Sequence, residues 1–318
     1  MKPKKLADKL RAIGIKNLKV KEPLSIHSSW KIGGPSDILV EVEDVSSLQR
    51  LLAFAKEYDI PLIVIGKGSN ILFSDEGLRG IVAKFGKAFA NVKIDGANII
   101  ADAGVWVPLL VKLAASRGIA GIEHAAGIPG TLGGLIYMNG GSLQQSIGDT
   151  TKRIWALDEN GKVVEMTRKE CEFSYRSSVF QRKNLIILRA HLEGNWDEPN
   201  NIRRRALDIL AERRRKFPLK QPNCGSVFTN NPEIYKAAGP PGKIIEEAGL
   251  KGFRIGGLMV SPIHANFIVN VGGGTSKDAF TLIAKIRDII YRRTGYWLEC
   301  EVRYVTPQGD IAPLHEFI

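Results

Sequence analysis

DILVEVEDVSSLQRLLAFAKEYDIPLIVIGKGSN, residues 37–70, passes through three local elements and ends in a glycine-rich loop. DILVEVE reads as a strand, SSLQRLLAFAKEY as a helix, and PLIVIG as a buried strand. The loop GKGSN then offers Gly66, Gly68, Ser69 and Asn70. Backbone N–H groups and small polar side chains in such a loop suit a pyrophosphate. The loop is not a Walker motif, and Ile71 stands where GxGxxG would need its last glycine. The plain alternative is a strand-to-loop turn.

Downstream come short strands at GIVAKF and ANIIADAGV, a helix at VPLLVKLAASRG, and a second glycine-rich loop at residues 127–134. That loop contains Gly127, Ile128, Pro129, Gly130, Thr131, Gly133 and Gly134. Two such loops could converge on one extended dinucleotide, or each could be a tight turn. RIWALDENGKVVEM reads as two strands about a Glu-Asn-Gly turn, and NLIILRAHLEG as another strand. NWDEPNN reads as a linker, with Pro199 suited to the first turn of the helix that follows.

The C-terminal part begins with NCGSVFTN (223–230), then a helix at GKIIEEAG and a strand at ANFIVNV. Thr275 and Asp278 form a capping-box pair that opens a helix through AFTLIAKIRDIIYRR, and WLECEVRYV reads as the last strand. This α+β order lacks the alternation of a doubly wound sheet, and no internal repeat interrupts it. The expected division is 1–196, with subdomains about 1–85 and 86–196, followed by 197–318. Pro240 and Pro241 receive no reading from sequence.

The chain has 318 residues, of which 44% are hydrophobic and 25% charged. Cys171, Cys224 and Cys300 are scattered, which argues against a disulfide scaffold or thiolate metal site and fits a cytoplasmic protein. No metal is expected. The charged, amphipathic N-terminus lacks the apolar core of a signal peptide, and no apolar run is long enough for a membrane span. A net charge of +12 attracts anions. NIRRRALDILAERRRKFPLK is the densest basic stretch, with an apolar stripe of Ile202, Ala206, Leu207 and Leu210. Its arginines form either a solvated face or an anion-facing end. Motifs for nucleic-acid binding are missing, so no nucleic-acid partner is expected.

Three polar strings carry candidate chemistry. EFSYRSSVF, if extended, places Ser174, Arg176 and Ser178 on one face, where Arg176 could clamp a carboxylate. The alternative is a surface strand arginine. WLECEVRYV puts Leu298, Cys300, Val302 and Tyr304 on one face and Trp297, Glu299, Glu301 and Arg303 on the other. Either the charges pair on a surface, or an acid is placed in a site with Arg303 beside it. In NCGSVFTN, Ser226 is outside GxSxG, and none of the five histidines is spaced to serve it as a base. A serine nucleophile is therefore disfavoured, while a hydroxyl that donates a proton or a hydrogen bond stays open.

SSWKIGGPSD, GKGSNIL, GIPGTLGG, YMNGG, EFSYRSSVF, NCGSVFTN, IIEEAGLKG, HANFIVN and LECEVRYV occur in this order. Together they resemble the UDP-N-acetylenolpyruvoylglucosamine reductase family, from about residue 25 to about residue 306. The resemblance implies a vanillyl-alcohol-oxidase/PCMH-type FAD domain followed by a smaller α+β substrate domain. It implies FAD as cofactor, NADPH as hydride donor, and a small-molecule UDP-sugar enolpyruvate as substrate in peptidoglycan precursor synthesis. The two glycine loops and Asn139 would hold FAD. Arg176, Ser226 and Glu301 would be catalytic, with Ser226 the proton donor and protonated Glu301 a donor to the carboxylate. Tyr175, Lys216 and Asn230 would contact the UDP-sugar. A monomer is expected. Two departures stand out. The span from Asn230 to HANFIVN leaves no room for the substrate-capping segment of some members, and Thr229 stands where a lysine is common. Rival readings are another FAD oxidoreductase of the same fold and a basic nucleic-acid-binding protein.

Overall fold

The structure is a computed structural model that describes residues 1–318. Its residues group into two compact units. The first comprises residues 1–20, 38–67 and 81–213, and the second residues 21–37, 68–80 and 214–318.

The opening strand–helix–strand reading takes shape as Pro35–Val42, Val45–Glu57 and Leu62–Ile65, in the first unit from Ile38 onward. Asp44 caps the helix by accepting from the Ser47 N–H at 2.6 Å. Leu48, Leu51, Phe54 and Ala55 form its buried stripe, at the spacing of one helix face. That stripe shares a core with Ile38, Val40, Val42, Ile81 and Ala83, and with Leu6 and Leu10 of the helix Pro3–Ala12. Leu62–Ile65 pairs in parallel with Leu78–Phe85 and lies at the edge of its sheet. Leu62 and Val64 are consequently only half-buried, so this strand is not buried on both faces as expected.

A second core of this unit lies against an antiparallel sheet, in the order Val163–Thr167, Thr151–Leu157, Ile186–Glu193, Asn98–Asp102, Val92–Asp95. The predicted Glu-Asn-Gly turn is closed by Asp158, whose carboxylate accepts from the N–H groups of Asn160 and Lys162. The helices Val107–Ser116 and Leu132–Tyr137 bury Leu110, Val111, Ala114, Leu132, Leu135 and Ile136 in this core.

NWDEPNN is not a free linker. Asn195–Trp196 pairs with Ile119–Ala120, and the helix Pro199–Lys216 sends Ala206 into the second core. Ile209 and Leu210 pack beside it, whereas Leu207, expected in the stripe, is 54% exposed. The two compact units divide this helix between residues 213 and 214. Residues 21–37 and 68–80 group with the C-terminal residues, which no contiguous cut can express.

In the second unit, Asn223–Ser226, Phe267–Asn270, Leu258–Val260 and Arg254–Ile255 form an antiparallel sheet. The helix Ser276–Thr294 buries Ala279, Leu282, Ile283, Ile286 and Ile290 in this unit's core. Its capping box is present as predicted, and Gly295 ends it at φ +75°. The Pro240–Pro241 pair now has an explanation. Gly239, at φ +103°, ends one short helix, Pro240 is the N-cap of the next, and Pro241 opens the helix Pro241–Glu247. A proline in the first helical turn gives up an N–H that has no partner there anyway.

WLECEVRYV is a regular strand only over Arg303–Val305, which pairs in parallel with Ile71–Phe73. Leu298, Cys300 and Val302 are buried, in keeping with the alternation. Arg303 departs from it: the side chain is buried and its Nη2 donates to the Ile311 carbonyl. No helix is long and apolar enough to cross a membrane, and no group of His, Cys, Asp or Glu is placed to hold a metal ion.

Candidate active site

The two glycine-rich loops meet in the first unit. A Cβ on Gly66 would lie 2.2 Å from Thr131 Oγ1, so the strand-end turn touches the second loop only because residue 66 has no side chain. Thr131 in turn caps the helix Leu132–Tyr137, accepting from the Gly134 N–H. Gly133 packs against Ala103, where a Cβ would approach to 2.9 Å, and Gly127 packs against Leu210 and Arg213. The N–H groups of Gly130 and Thr131 donate to no protein acceptor, nor do those of Gly68 and Ser69 further along the first loop. Ile128 is tied back to Ala125, and Pro129 is exposed.

Alanine at 66 must push Thr131 away or rotate it off its cap. Gly66→Ala should cost about 1–3 kcal/mol and lower Tm by about 2–8 °C. It should also weaken cofactor retention about ten-fold or more, with partial recovery when Thr131→Ala is added. Thermal melts and flavin content check this, and an unchanged Tm with full flavin would show that the loops are not locked together.

EFSYRSSVF is not an extended strand. Ser174 and Ser177 exchange both backbone hydrogen bonds at 3.1 Å, so residues 174–177 form a tight turn with Tyr175 and Arg176 at its tip. Arg176 has φ +53°, an uncommon backbone for a residue with a side chain. Its Nη2 donates to the Gly141 carbonyl at 3.3 Å, and its guanidinium lies 5.3 Å from the exposed Tyr175 ring. Asn139 is buried. Its amide donates to the Ser174 carbonyl at 2.8 Å and its oxygen accepts from the Gly148 N–H, so this side chain braces the turn. Sequence reading missed Arg213. It lies against Gly127, and burial, then the like charge of Arg176, press its pKa below the ordinary range. The Arg213 guanidinium beside Gly127 adds positive charge next to this loop. The signal lay in the basic run, whose C-terminal end was one of the two sequence readings.

In the second unit, Ser226 and Glu301 come from adjacent stretches. The Glu301 N–H donates to the Val227 carbonyl at 2.8 Å, and Phe228 bridges Cys300. Asn70 supports the same stretch: its amide donates to the Glu301 carbonyl at 3.1 Å, and its own carbonyl accepts from the Arg303 N–H. Ser226 is half-buried and its Oγ makes no hydrogen bond within the protein. Gly225 just before it is at φ +83°. Asn223 folds this corner by accepting from the Gly225 N–H, and Asn266 clamps Phe228 through both its N–H and its carbonyl. Both asparagines lie in quoted strings, yet nothing in the strings marks them as braces. Lys216 ends the basic helix and Asn230 is exposed.

The other reactive groups are structural. Burial raises the thiols of Cys171 and Cys300 to about 12 and raises Cys224 further, so none is a ready thiolate. His124 is fully buried with both ring nitrogens unpartnered, and burial lowers its pKa, which keeps it neutral.

Two family profiles match the chain: a FAD binding domain over residues 36–167, and the UDP-N-acetylenolpyruvoylglucosamine reductase C-terminal domain over 217–305. UDP-N-acetylenolpyruvoylglucosamine reductase 1 of Corynebacterium glutamicum is 42% identical over 91% of this chain and 86% of its own. The chain belongs to the UDP-N-acetylenolpyruvoylglucosamine reductase family. The reductase of Heliobacterium modesticaldum is 39% identical over 91% of this chain and 90% of its own. A crystal structure of the Thermus caldophilus reductase aligns with a TM-score of 0.76 at 29% identity, covering 91% of this chain and 98% of that one.

The residues fit the cofactor of a reductase with a FAD binding domain. Gly66 and Thr131 abut where side chains would hold the loops apart, and the N–H groups of Gly130 and Thr131 lack protein acceptors. Such groups suit the oxygens of a pyrophosphate.

Proposed function

We infer that this protein is the FAD-dependent reductase that converts UDP-N-acetylenolpyruvoylglucosamine to UDP-N-acetylmuramate with NADPH, in peptidoglycan precursor synthesis. The observation that carries the reading is the family relationship, at 42% identity over 91% of the chain. We assign the two glycine loops to FAD and the 174–177 turn, Ser226 and Glu301 to the substrate. The FAD domain is of the vanillyl-alcohol-oxidase type, and the protein works as a cytoplasmic monomer of the subtype without the extra capping segment.

The substrate is a vinyl ether that carries a carboxylate. FAD, when bound, supplies the hydride that adds at C3. Negative charge then develops at C2 and spreads into the carboxylate, where preorganised donors are most effective. Arg176 supplies a fixed positive charge and a planar fork of N–H donors. Protonated Glu301 donates to a carboxylate oxygen. Ser226 delivers its hydroxyl proton to C2, completing the product, and regains a proton from solvent. A serine hydroxyl is a weak acid, so this step needs the strongly basic carbon that hydride addition creates. Tyr175, Lys216 and Asn230 contact the UDP-sugar, and the net charge of +12 favours such an anionic ligand.

Anaerobic visible spectra of the purified protein test the reading. Bleaching by NADPH and recovery on adding UDP-N-acetylenolpyruvoylglucosamine is the expected result. A flavin that bleaches but recovers only with oxygen would move the function to another oxidoreductase. A protein that takes up no FAD would overturn the cofactor assignment.

A further inference from the structure

Arg176 is held in a backbone conformation that it would not choose alone. Its φ of +53° costs energy for any side chain and persists only where neighbours enforce it. Several hydrogen bonds enforce it. The Ser174 carbonyl accepts from Ser177 N and from Asn139 Nδ2. The Arg176 carbonyl accepts from Gln181 Nε2 at 2.9 Å. The same Gln181 nitrogen reaches the Tyr137 carbonyl at 2.8 Å, which also accepts from the buried Ser178 hydroxyl at 2.7 Å. A primary amide has two N–H groups, so one side chain can join two carbonyls. Here it joins the arginine's own carbonyl to the last residue of the helix that Thr131 caps.

We propose that Gln181 is a positioning residue for Arg176, fixing the arginine turn to the helix of the second glycine loop. The proposal rests on the role given to Arg176 above. Without the link, Arg176 can relax toward negative φ, which re-aims its Cα–Cβ bond and carries the guanidinium away from its working place. Misplacement of about 1 Å at a reacting centre costs on the order of 10²-fold in rate.

Gln181→Met keeps length and bulk but removes both donors. In flavin-loaded protein it should slow reoxidation by the enolpyruvyl sugar about 10–100-fold, with NADPH reduction and flavin content unchanged. In an Arg176→Ala background it should add less than about two-fold, because it acts through the missing side chain. Hydrogen exchange provides a readout independent of turnover. The Ser177 amide, bonded to the Ser174 carbonyl, should exchange about ten-fold faster in Gln181→Met. Unchanged exchange and reoxidation, or an equal slowing in both backgrounds, would overturn the proposal. If Gln181→Met does not accumulate as folded protein, the isosteric Gln181→Glu faces the same criteria. If unmodified protein is not reoxidised by the sugar, the functional reading fails, and unchanged exchange then separately decides the role of Gln181 in the turn.

Discussion

Ser226→Ala is expected to take up FAD and be reduced by NADPH at the normal rate, yet to be reoxidised by UDP-N-acetylenolpyruvoylglucosamine about 10³-fold more slowly. The asymmetry follows from the chemistry, since only the second half-reaction consumes a proton at carbon. The Ser226 hydroxyl makes no hydrogen bond within the protein, so its removal leaves no stranded partner and should not disturb folding. Its backbone is set independently of the hydroxyl, by Gly225 at φ +83° and by pairing with Phe267. Single-turnover stopped-flow measurement separates the two steps. Normal reoxidation in Ser226→Ala would remove the serine from the proton transfer, and impaired NADPH reduction would mean that the hydroxyl serves the cofactor instead.

Arg176→Ala should lower the same reoxidation rate about 10²–10³-fold, the scale of losing one preorganised group from a developing oxyanion. Arg176→Lys should fall between, because it keeps the charge and loses the planar fork. The alanine change should leave thermal stability nearly intact. The turn is held by Ser177, Asn139 and Gln181 through main-chain carbonyls, none of which requires the guanidinium. Equal reoxidation rates for Arg176→Ala and the unmodified protein would exclude Arg176 from charge stabilisation. A large loss of Tm would instead show that its side-chain contacts, the one with the Gly141 carbonyl among them, support the fold.

Linear patterns determined the local elements. The opening strand–helix–strand, the hairpin about Asn160 and Gly161, and the Thr275–Asp278 capping box all lie where periodicity and turn chemistry put them. These features depend on neighbours within a few residues, so a string of residues contains the information. The alternation of Leu298, Cys300 and Val302 belongs to the same class.

Other features depended on what the chain meets in space. EFSYRSSVF alternates well enough to read as a strand, but bonds from Asn139 and Gln181 bend it into a turn, and those partners lie outside its local pattern. Leu207 fits an apolar stripe by spacing and is exposed, because its partner surface meets Ala206, Ile209 and Leu210 instead. The unit boundary fell inside a helix for the same reason: helix propensity is local, while the packing that assigns residues 21–37 and 68–80 to the second unit is not. The sequence by itself determined the elements whose signals are local, such as the strand–helix–strand and the capped helix, and the family. Only the tertiary structure decided that Gly66 touches Thr131, that Asn70 and Asn139 act as braces, and that Arg213 lies against Gly127, because each of these rests on contacts between residues separated along the chain.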